Sequence, residues 1–262
     1  METGYGILPP VYDRWQKTYG KDFSELIFPR LLSTMQAHRI SGSVMVDLAC
    51  GTGTLALMMA RRGWTVIGVD ASVGMIEQAE RKAAPSFLPV SFLRQDMRAF
   101  RLPREVHLVT SFFDSLNHVL SVADLAGVFR RVHAALLPGG WFVFDMNNEL
   151  CFTLLWTRSE TVAHEDFLLA LENSYDRGTG FAECRVTLTR RAGGKTEEPQ
   201  VEFVREMWYP TDVVRDALAG AGFTVRECVD FNFTPNPGMG KIKTWWVAEK
   251  EPLLSSALRS SR

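Results

Sequence analysis

The chain has 262 residues, which suits one enlarged domain or a domain with an insert, since a domain averages roughly 150 residues. Hydrophobic residues make up 46% of the chain and charged residues 23%, so collagenous, coiled-coil and wholly disordered proteins are excluded. The 29 basic and 30 acidic residues leave a net charge of −1. Because there is no basic excess to neutralise phosphates, we expect no nucleic acid partner.

Membrane association, compartment and metal binding can also be judged from the sequence. No apolar run reaches the roughly 18 residues that span a bilayer. The N-terminal residues lack the cationic and apolar parts of a signal peptide, so we predict a cytoplasmic protein with no membrane partner. The 4 cysteines are scattered without paired spacing, which favours reduced thiols over a disulfide framework or a zinc site. We therefore expect no metal.

The first predicted elements are helical. An amphipathic helix is predicted over 22–39, and Pro29 is expected to bend or split it. The stretch before this helix carries Tyr12, Trp15 and Tyr19. Their spacing fits either an aromatic lid over a ligand or the core face of a helix.

A series of apolar runs follows, and each bears the β-branched residues that are typical of buried strands. Between the runs, apolar residues recur with helical spacing, and the whole pattern predicts a parallel sheet with helices on both faces. The helix before the last run has a capping box at Ser121 and Asp124 and is expected to stop at Pro138. The predicted strands cover residues 44–49, 65–70, 90–96, 107–113 and 141–146.

Strands of a different kind are predicted after the fifth strand. Over 159–208 apolar and polar residues alternate, which indicates antiparallel strands, with a glycine turn at 192–195. A final helix is predicted from Thr211, as its N-cap, to Gly222, and two last strands follow.

The most informative segment is the turn from the first strand into its helix, Asp47-Leu48-Ala49-Cys50-Gly51-Thr52-Gly53-Thr54. Glycines there let backbone amides approach a ligand that the helix N-terminus also polarises. Asp70 ends the second strand, where a carboxylate can accept hydrogen bonds from both hydroxyls of a ribose. Together these residues predict a nucleoside site at the carboxyl ends of the strands.

Two kinds of nucleoside ligand compete for this site. Gly51, Gly53 and Ala56 satisfy the spacing of a dinucleotide fingerprint, so NAD is one alternative. In dinucleotide folds, however, the first glycine follows the strand closely, whereas here Asp47 precedes the two glycines by four and six residues. An acidic residue in that place suits an ammonium group better than a pyrophosphate.

With these residues the chain resembles the class I S-adenosylmethionine-dependent methyltransferases over residues 40–250. Their first motif, an acidic residue followed by small residues and glycines, is matched with Ala49 standing where glycine is commoner. The resemblance continues with Asp70 as the acid that binds ribose and with Asp96 and Met97 as the adenine site. It also includes the sequence Leu-Pro-Gly-Gly before the fifth strand.

The resemblance implies an α/β fold and S-adenosylmethionine as the cofactor. The fold is a doubly wound seven-stranded sheet with an antiparallel last strand, plus an antiparallel β insert. The implied units are an N-terminal helical lid (1–40), a Rossmann-like domain that binds S-adenosylmethionine (41–158 and 209–250), an insert capping the acceptor site (159–208) and a tail (251–262). The implied cofactor-binding residues are Asp47, Ala49, Gly51, Gly53, Asp70, Ala71, Asp96, Met97, Phe113 and Tyr19.

Within this class the chain is most similar to small-molecule N-methyltransferases. The similarity lies in the Tyr12-Asp13 segment, the sequence 113–119 after the fourth strand, and the insert. Glycine methyltransferases and the enzymes that dimethylate amino groups on nucleotide-linked sugars are the nearest types. Transfer from a sulfonium mainly requires alignment of the reacting atoms, and an amine acceptor needs little more. A hydroxyl or carbon acid would need a general base.

His118 is the candidate base, with a structural histidine as the alternative. Asp114 either orients the acceptor or caps a helix, and Tyr12 completes the predicted catalytic set. The residues predicted to bind the substrate are Asn117, Arg205 and Trp208. We therefore predict methyl transfer to a small molecule, at nitrogen. The alternatives are an NAD-dependent oxidoreductase and a noncatalytic module that binds S-adenosylmethionine, and the oligomeric state is left open.

Overall fold

The computed structural model describes residues 5–18, 20–193, 195–232 and 240–252, so Tyr19 and most of the predicted tail lie outside it. The helices are α1 Tyr12–Lys17, α2 Phe23–Ala37, α3 Thr54–Ala60, α4 Val73–Ala83, α5 Val122–Ala135, α6 Glu149–Leu154 and α7 Thr211–Gly220, with a short 3₁₀ helix at Ser115–His118. The strands are β1 Val44–Leu48, β2 Thr65–Asp70, β3 Val90–Arg94, β4 Val106–Ser111, β5 Leu136–Asn147, β6 Glu160–Ala163, β7 Phe167–Asp176, β8 Phe181–Ala192, β9 Lys195–Thr196, β10 Gln200–Met207, β11 Phe223–Phe231 and β12 Lys243–Lys250.

A seven-stranded sheet forms the centre of the protein, in the order β11-β12-β5-β4-β1-β2-β3. Strands β1 to β5 run parallel, and the last strand, β12, runs antiparallel to both of its neighbours. The predicted fold class is therefore confirmed. The strand order reverses between β1 and β4, and in doubly wound sheets ligands bind at this point, outside the carboxyl ends of the strands.

A second, antiparallel sheet follows β5 and α6 in the chain, in the order β10-β8-β7-β6, with β9 paired to β8. Its strands run from Glu160 to Met207, which matches the predicted insert. One hydrophobic cluster joins this sheet to the N-terminal segment: Leu8 and Val11 pack with Phe167 and Leu188. The insert and the N-terminus are thus packed together through a shared core.

The apolar runs form buried strands because helices cover both faces of the main sheet. All five residues of β1 are buried. Alternate residues of β1 belong to different clusters, Val46 to the one that includes Phe129 and Met45 to the one that includes Leu31. None of the helices that the structure describes has the length and apolar character needed to cross a membrane.

Beyond shifts of one or two residues at the ends of β1, β3 and β4, three predicted element details differ from the structure. The helix expected to stop at Pro138 ends at Ala135, and β5 begins at Leu136, because Leu136 is buried and pairs with Val106. Pro29 does not split α2. The helix continues from Phe23 to Ala37, and its Ile27 and Leu31 side chains are buried.

The third difference is at α7. Its N-cap is Pro210 and not Thr211, and the helix ends at Gly220, two residues before the predicted end. Gly222 then adopts a φ of +96°, a left-handed conformation that suits glycine after a helix.

Candidate active site

A cavity of about 320 Å³ lies at the carboxyl ends of β1, β2 and β4. Its wall comes from the turns after these strands and after β3, from α1 and the N-terminal segment, and from β10 of the insert. Ten of the predicted site residues line it: Tyr12, Ala49, Gly51, Asp70, Ala71, Asp96, Met97, Phe113, His118 and Arg205.

The two glycines of the β1–α3 turn have different tasks. Gly51 adopts a φ of +53°, and a Cβ placed on it would come no closer than 3.9 Å to Tyr12, so its open side faces the cavity. Gly53 has a φ of +76°, but a Cβ there would lie 2.9 Å from both Ala79 and Phe92. Gly53 is therefore required for packing and does not line the cavity, whereas Gly51 leaves space for a ligand.

Asp70 fixes the conformation of the same turn. Its Oδ2 accepts a hydrogen bond of 2.9 Å from the Gly51 amide, and its Oδ1 accepts one of 2.8 Å from the Ser72 amide. Burial raises the pKa of Asp70, and these backbone hydrogen bonds oppose that effect. The carboxyl group faces the cavity, where its remaining lone pairs can accept hydroxyl hydrogen bonds.

Asp47 lies beneath the turn and does not line the cavity. Its side chain is buried, and its Oδ1 accepts a hydrogen bond of 3.0 Å from Thr110 Oγ1 on β4. Burial raises the pKa of Asp47 to about 7. Its contribution, as the structure has it, is to join β1 to β4 below the ligand site.

Asp96, which follows β3, lines the cavity and already accepts hydrogen bonds from Arg98. Its carboxylate accepts hydrogen bonds from the Arg98 backbone amide at 2.8 Å and from Arg98 Nε at 3.0 and 3.1 Å, and it also contacts the guanidinium Nη2. These bonds lower the pKa of Asp96. An adenine amine would therefore share this carboxylate with Arg98, a residue that the sequence interpretation did not include.

A cluster of polar side chains, Asp13, Thr52, Thr54 and Lys82, connects helix α1 to the β1–α3 turn through hydrogen bonds. Lys82 Nζ on α4 lies 2.8 Å from Asp13 Oδ2, Thr52 Oγ1 and Thr54 Oγ1, and Thr52 Oγ1 donates to Asp13 Oδ1 at 2.5 Å. Because Tyr12 immediately precedes Asp13 on α1, this cluster holds Tyr12 over the cavity. Helix α1 thus has a defined attachment to the turn.

His118 has a defined tautomer. Its Nδ1 lies 2.9 Å from the Arg205 carbonyl, which can only accept, so Nδ1 carries the proton. Nε2 is then the acceptor, and the Tyr5 hydroxyl donates to it at 3.2 Å. Burial lowers the pKa of His118, and the charge of Asp114 opposes this effect. Burial also raises the pKa of Tyr5, which keeps its hydroxyl protonated.

Behind His118 lies a buried group of carboxyls and one ammonium. Lys243 Nζ is 2.6 Å from Asp114 Oδ1 and 3.5 Å from Asp145 Oδ1. Glu206, only 2% exposed, accepts a hydrogen bond of 3.0 Å from Asn147 Nδ2, and its Oε1 lies 3.8 Å from His118 Nε2. The Asp114 side chain pairs with this group and makes no helix-capping hydrogen bond.

Asp114, His118 and Glu206 each bring one possible metal ligand atom within 4.8 Å of the others. The environment disfavours a cation there, because the Lys243 ammonium already neutralises Asp114 and the His118 nitrogens face Tyr5 and Arg205.

The remaining predicted residues are not brought to the cavity. Asn117 is fully buried: its Nδ2 donates to the Met207 carbonyl and its Oδ1 accepts from the Asn147 amide, both at 2.9 Å. It therefore joins β5 to β10. Trp208 does not line the cavity, and its amide donates to the Gly180 carbonyl. Tyr19 lies outside the described residues.

The cavity wall fits S-adenosylmethionine. A nucleoside requires a carboxylate at the ribose and a backbone that can be approached closely, and Asp70 and Gly51 supply these. A sulfonium is stabilised by aromatic faces, and Tyr12 and Phe113 line the same space.

Comparisons with known proteins agree with this fit. Residues 45–140 match a family described as a methyltransferase domain. A protein of Geobacillus sp. (strain WCH70), provisionally named a methyltransferase, is 27% identical over 91% of this chain and 93% of its own length. The matched domain and the structural neighbours indicate an S-adenosylmethionine-dependent methyltransferase.

Two other relatives of the methyltransferase have more specific names. A dTDP-3-amino-3,6-dideoxy-alpha-D-glucopyranose N,N-dimethyltransferase of Streptomyces fradiae is 30% identical over 53% of this chain and 53% of its own length. The solved structure of an amino pentose methyltransferase from Micromonospora echinaspora, with S-adenosylmethionine bound, covers 92% of this chain and 96% of its own, with a TM-score of 0.70 and 19% identity. This likeness shows a shared fold. The NAD-dependent alternative and the noncatalytic alternative gain no support from these comparisons.

Proposed function

We propose that the methyltransferase transfers a methyl group to the nitrogen of a small-molecule amine. The observation that carries this proposal is the state of His118: a neutral imidazole with its unprotonated Nε2 beside the cavity. Lowering the pKa of the imidazole makes it a poorer base for ionising a hydroxyl acceptor, whereas a neutral amine attacks with its own lone pair and gives up a proton only afterwards.

When bound, S-adenosylmethionine supplies a methyl group whose carbon–sulfur bond breaks as the new nitrogen–carbon bond forms, leaving S-adenosylhomocysteine. Asp70 and the Gly51 backbone would hold the nucleoside end, and Asp96 and Met97 would hold the adenine. His118 Nε2 accepts the proton that the methylated nitrogen releases. Tyr5 donates to the same Nε2, so the acceptor takes over a hydrogen-bond position that Tyr5 holds in this structure.

We also propose that the insert caps the acceptor end of the cavity. Support comes from Phe203 and Arg205 of β10, which line the same cavity as the turns proposed to bind the cofactor. The N-terminal lid and the other unit boundaries remain predictions from the sequence. The absence of a nucleic acid partner and the cytoplasmic location also stay predictions. The oligomeric state stays open.

The test is formation of S-adenosylhomocysteine across pairs of acceptors that share a carbon skeleton and differ only in bearing an amine or a hydroxyl. We expect turnover with amines. Asp70→Ala is the control for cofactor binding. We expect it to weaken the binding of S-adenosylmethionine by about 1.5–3 kcal/mol, measured by calorimetry, because the ribose hydroxyls lose a charged hydrogen-bond acceptor. His118→Gln is expected to lower kcat and to leave that affinity unchanged. Turnover of the hydroxyl members alone would reject the proposal.

A further inference from the structure

The cluster behind His118 contains three carboxyl groups and one ammonium group, so a single positive charge would have to neutralise up to three negative charges. Asp114, Asp145 and Glu206 lie around Lys243; Asp145 and Glu206 are buried, and the Asp114 side chain is 26% exposed. The backbone amide of Asp114 donates to Asp145 Oδ1 at 2.8 Å, so these groups are fixed relative to one another. A site of this kind is too costly to hold with all three carboxyls ionised.

The Asp114 and Glu206 carboxyls each place an oxygen within 4.8 Å of the other, and this proximity decides where a proton lies. Two carboxyl groups this close in a desolvated site share one proton, because holding both of them charged is costly. Lys243 Nζ is 2.6 Å from Asp114, so the negative charge belongs on Asp114 and the proton on Glu206. The pKa directions agree: burial and the Asp114 charge raise the pKa of Glu206. Burial also acts to raise the pKa of Asp114, but Lys243, the Glu206 carboxyl and His118 together lower it.

His118 is the neighbour that this arrangement affects. Glu206 Oε1 lies 3.8 Å from its Nε2, the nitrogen that faces the cavity. The titratable and charged groups around the imidazole come from every element packed against it: Tyr5 of the N-terminal segment, Asp114 before the 3₁₀ helix, Arg205 and Glu206 of β10, and Lys243 of β12. An ionised Glu206 would be the carboxylate nearest to Nε2.

We propose that Glu206 is a positioning residue for His118: by holding the proton shared with Asp114, it keeps the carboxylate charge away from Nε2. If Glu206 were ionised, it would accept a hydrogen bond from a protonated Nε2 and favour the imidazolium, which cannot accept a proton. Keeping Glu206 neutral leaves Nε2 available as an acceptor. The importance of this for catalysis rests on the proposed function, but the charge placement does not.

The test measures the pKa of His118 directly, by NMR titration of the imidazole Cε1–H in protein without cofactor or acceptor. The chain has 5 histidines, and His118→Gln identifies the signal. We expect a wild-type midpoint below the usual value of about 6.5. Asp114→Asn removes the charge that holds the proton on Glu206, so Glu206 ionises beside Lys243 and the midpoint rises by about one unit or more.

Adding Glu206→Gln to Asp114→Asn removes the relocated charge, and the midpoint should fall again, below that of the wild type. Glu206→Gln alone replaces a neutral group by a neutral one and should move the midpoint by less than about 0.3 units. A fall of one unit or more in this single variant would mean that Glu206 is charged in the native protein. A fall in Asp114→Asn would mean that Glu206 stays neutral without the Asp114 charge, so that the two carboxyls do not share a proton. Either result would overturn the proposal.

Asp166→Asn, which removes a surface carboxylate paired with Arg14, is the matched control and should leave the midpoint unchanged. If Asp114→Asn does not fold, as judged by near-ultraviolet circular dichroism, the Glu206→Gln titration still decides the charge state. The acid limb of the kcat/KM profile gives a separate readout: it should move to higher pH in Asp114→Asn. An unchanged limb together with a raised NMR midpoint would reject His118 as the base while leaving the charge placement intact.

Discussion

At the scale of single residues, Gly51 and Gly53 show that one motif can contain two unrelated requirements. Both adopt left-handed conformations, but only Gly53 is crowded by protein atoms, through Ala79 and Phe92. Gly51 has open space on its Cβ side. The motif spacing predicts that both glycines matter, and only the packing around them separates a folding role from a binding role.

We predict that Gly51→Ala lowers S-adenosylmethionine affinity more than tenfold, because the new methyl group enters the space beside the turn, while Gly53→Ala mainly lowers stability. The left-handed conformation itself costs roughly 1–2 kcal/mol for an alanine. Gly193 is a matched control for that cost, since its φ of +57° is close to the +53° of Gly51 and nothing lies within 4 Å of its Cβ position. Calorimetry and thermal unfolding of the three variants separate the effects. Gly51→Ala and Gly193→Ala could lower the free energy of unfolding equally while Gly51→Ala keeps its affinity for S-adenosylmethionine. That result would show that no ligand approaches this turn.

The residues that sequence reasoning missed are those whose role depends on distant partners. Asp70 and Gly51 could be predicted, because their positions follow from the strand-to-helix turn alone. Tyr5 and Glu206 could not, because they meet His118 only after the N-terminal segment and β10 pack on the same side of it. No local periodicity marks either residue. For the same reason Asn117 looked like a substrate ligand, although its amide joins two strands.

At the scale of elements, buried parallel strands were the most predictable part of the fold. Their apolar runs must be covered on both faces, and β2 was predicted at its exact limits. Boundaries set by tertiary packing were less predictable. β5 begins at Leu136, before the Pro-Gly-Gly turn signal, because Leu136 is buried against Val106.

Helix α1 is short, so its position depends on attachment rather than on its own stability. Lys82 contacts Asp13 of α1 and Thr52 and Thr54 of the turn, which ties the helix to the cofactor side of the cavity. We predict that Lys82→Met speeds the dissociation of S-adenosylmethionine about fivefold, equivalent to about 1 kcal/mol for a partly exposed ion pair.

Stopped-flow displacement with S-adenosylhomocysteine measures this rate. Lys17→Met, which removes an exposed lysine from α1 itself, is the control and should leave the rate unchanged. The Lys82→Met rate should also lose most of its dependence on salt, since screening acts on the ion pair that the variant lacks. Equal rates in the wild type and Lys82→Met would mean that α1 does not limit release.

At the scale of the whole molecule, the cavity is assembled by parts that are far apart in the chain. The turns after the first three strands line the side proposed to bind the cofactor, and Phe203 and Arg205 of β10 line the same cavity from the insert. The antiparallel character of the insert could be predicted from its alternating pattern. Which strand faces the cavity could not, because that depends on how the second sheet packs against the N-terminal segment.

Because different segments of the chain line the proposed cofactor and acceptor sides of the cavity, cofactor and acceptor binding should be separable by mutation. Phe203 lines the cavity from β10, whereas Val201, two residues earlier on the same strand face and equally exposed at 43% against 44%, does not. We predict that Phe203→Ala raises the acceptor KM roughly five- to thirtyfold, which corresponds to about 1–2 kcal/mol of lost apolar contact. S-adenosylmethionine affinity should not change, and Val201→Ala should change neither constant.

Light scattering on both variants tests the alternative that this face contacts a second subunit. A fall in molecular mass in both variants, with the acceptor KM unaltered, would assign the face to a subunit contact and remove the insert from the acceptor site.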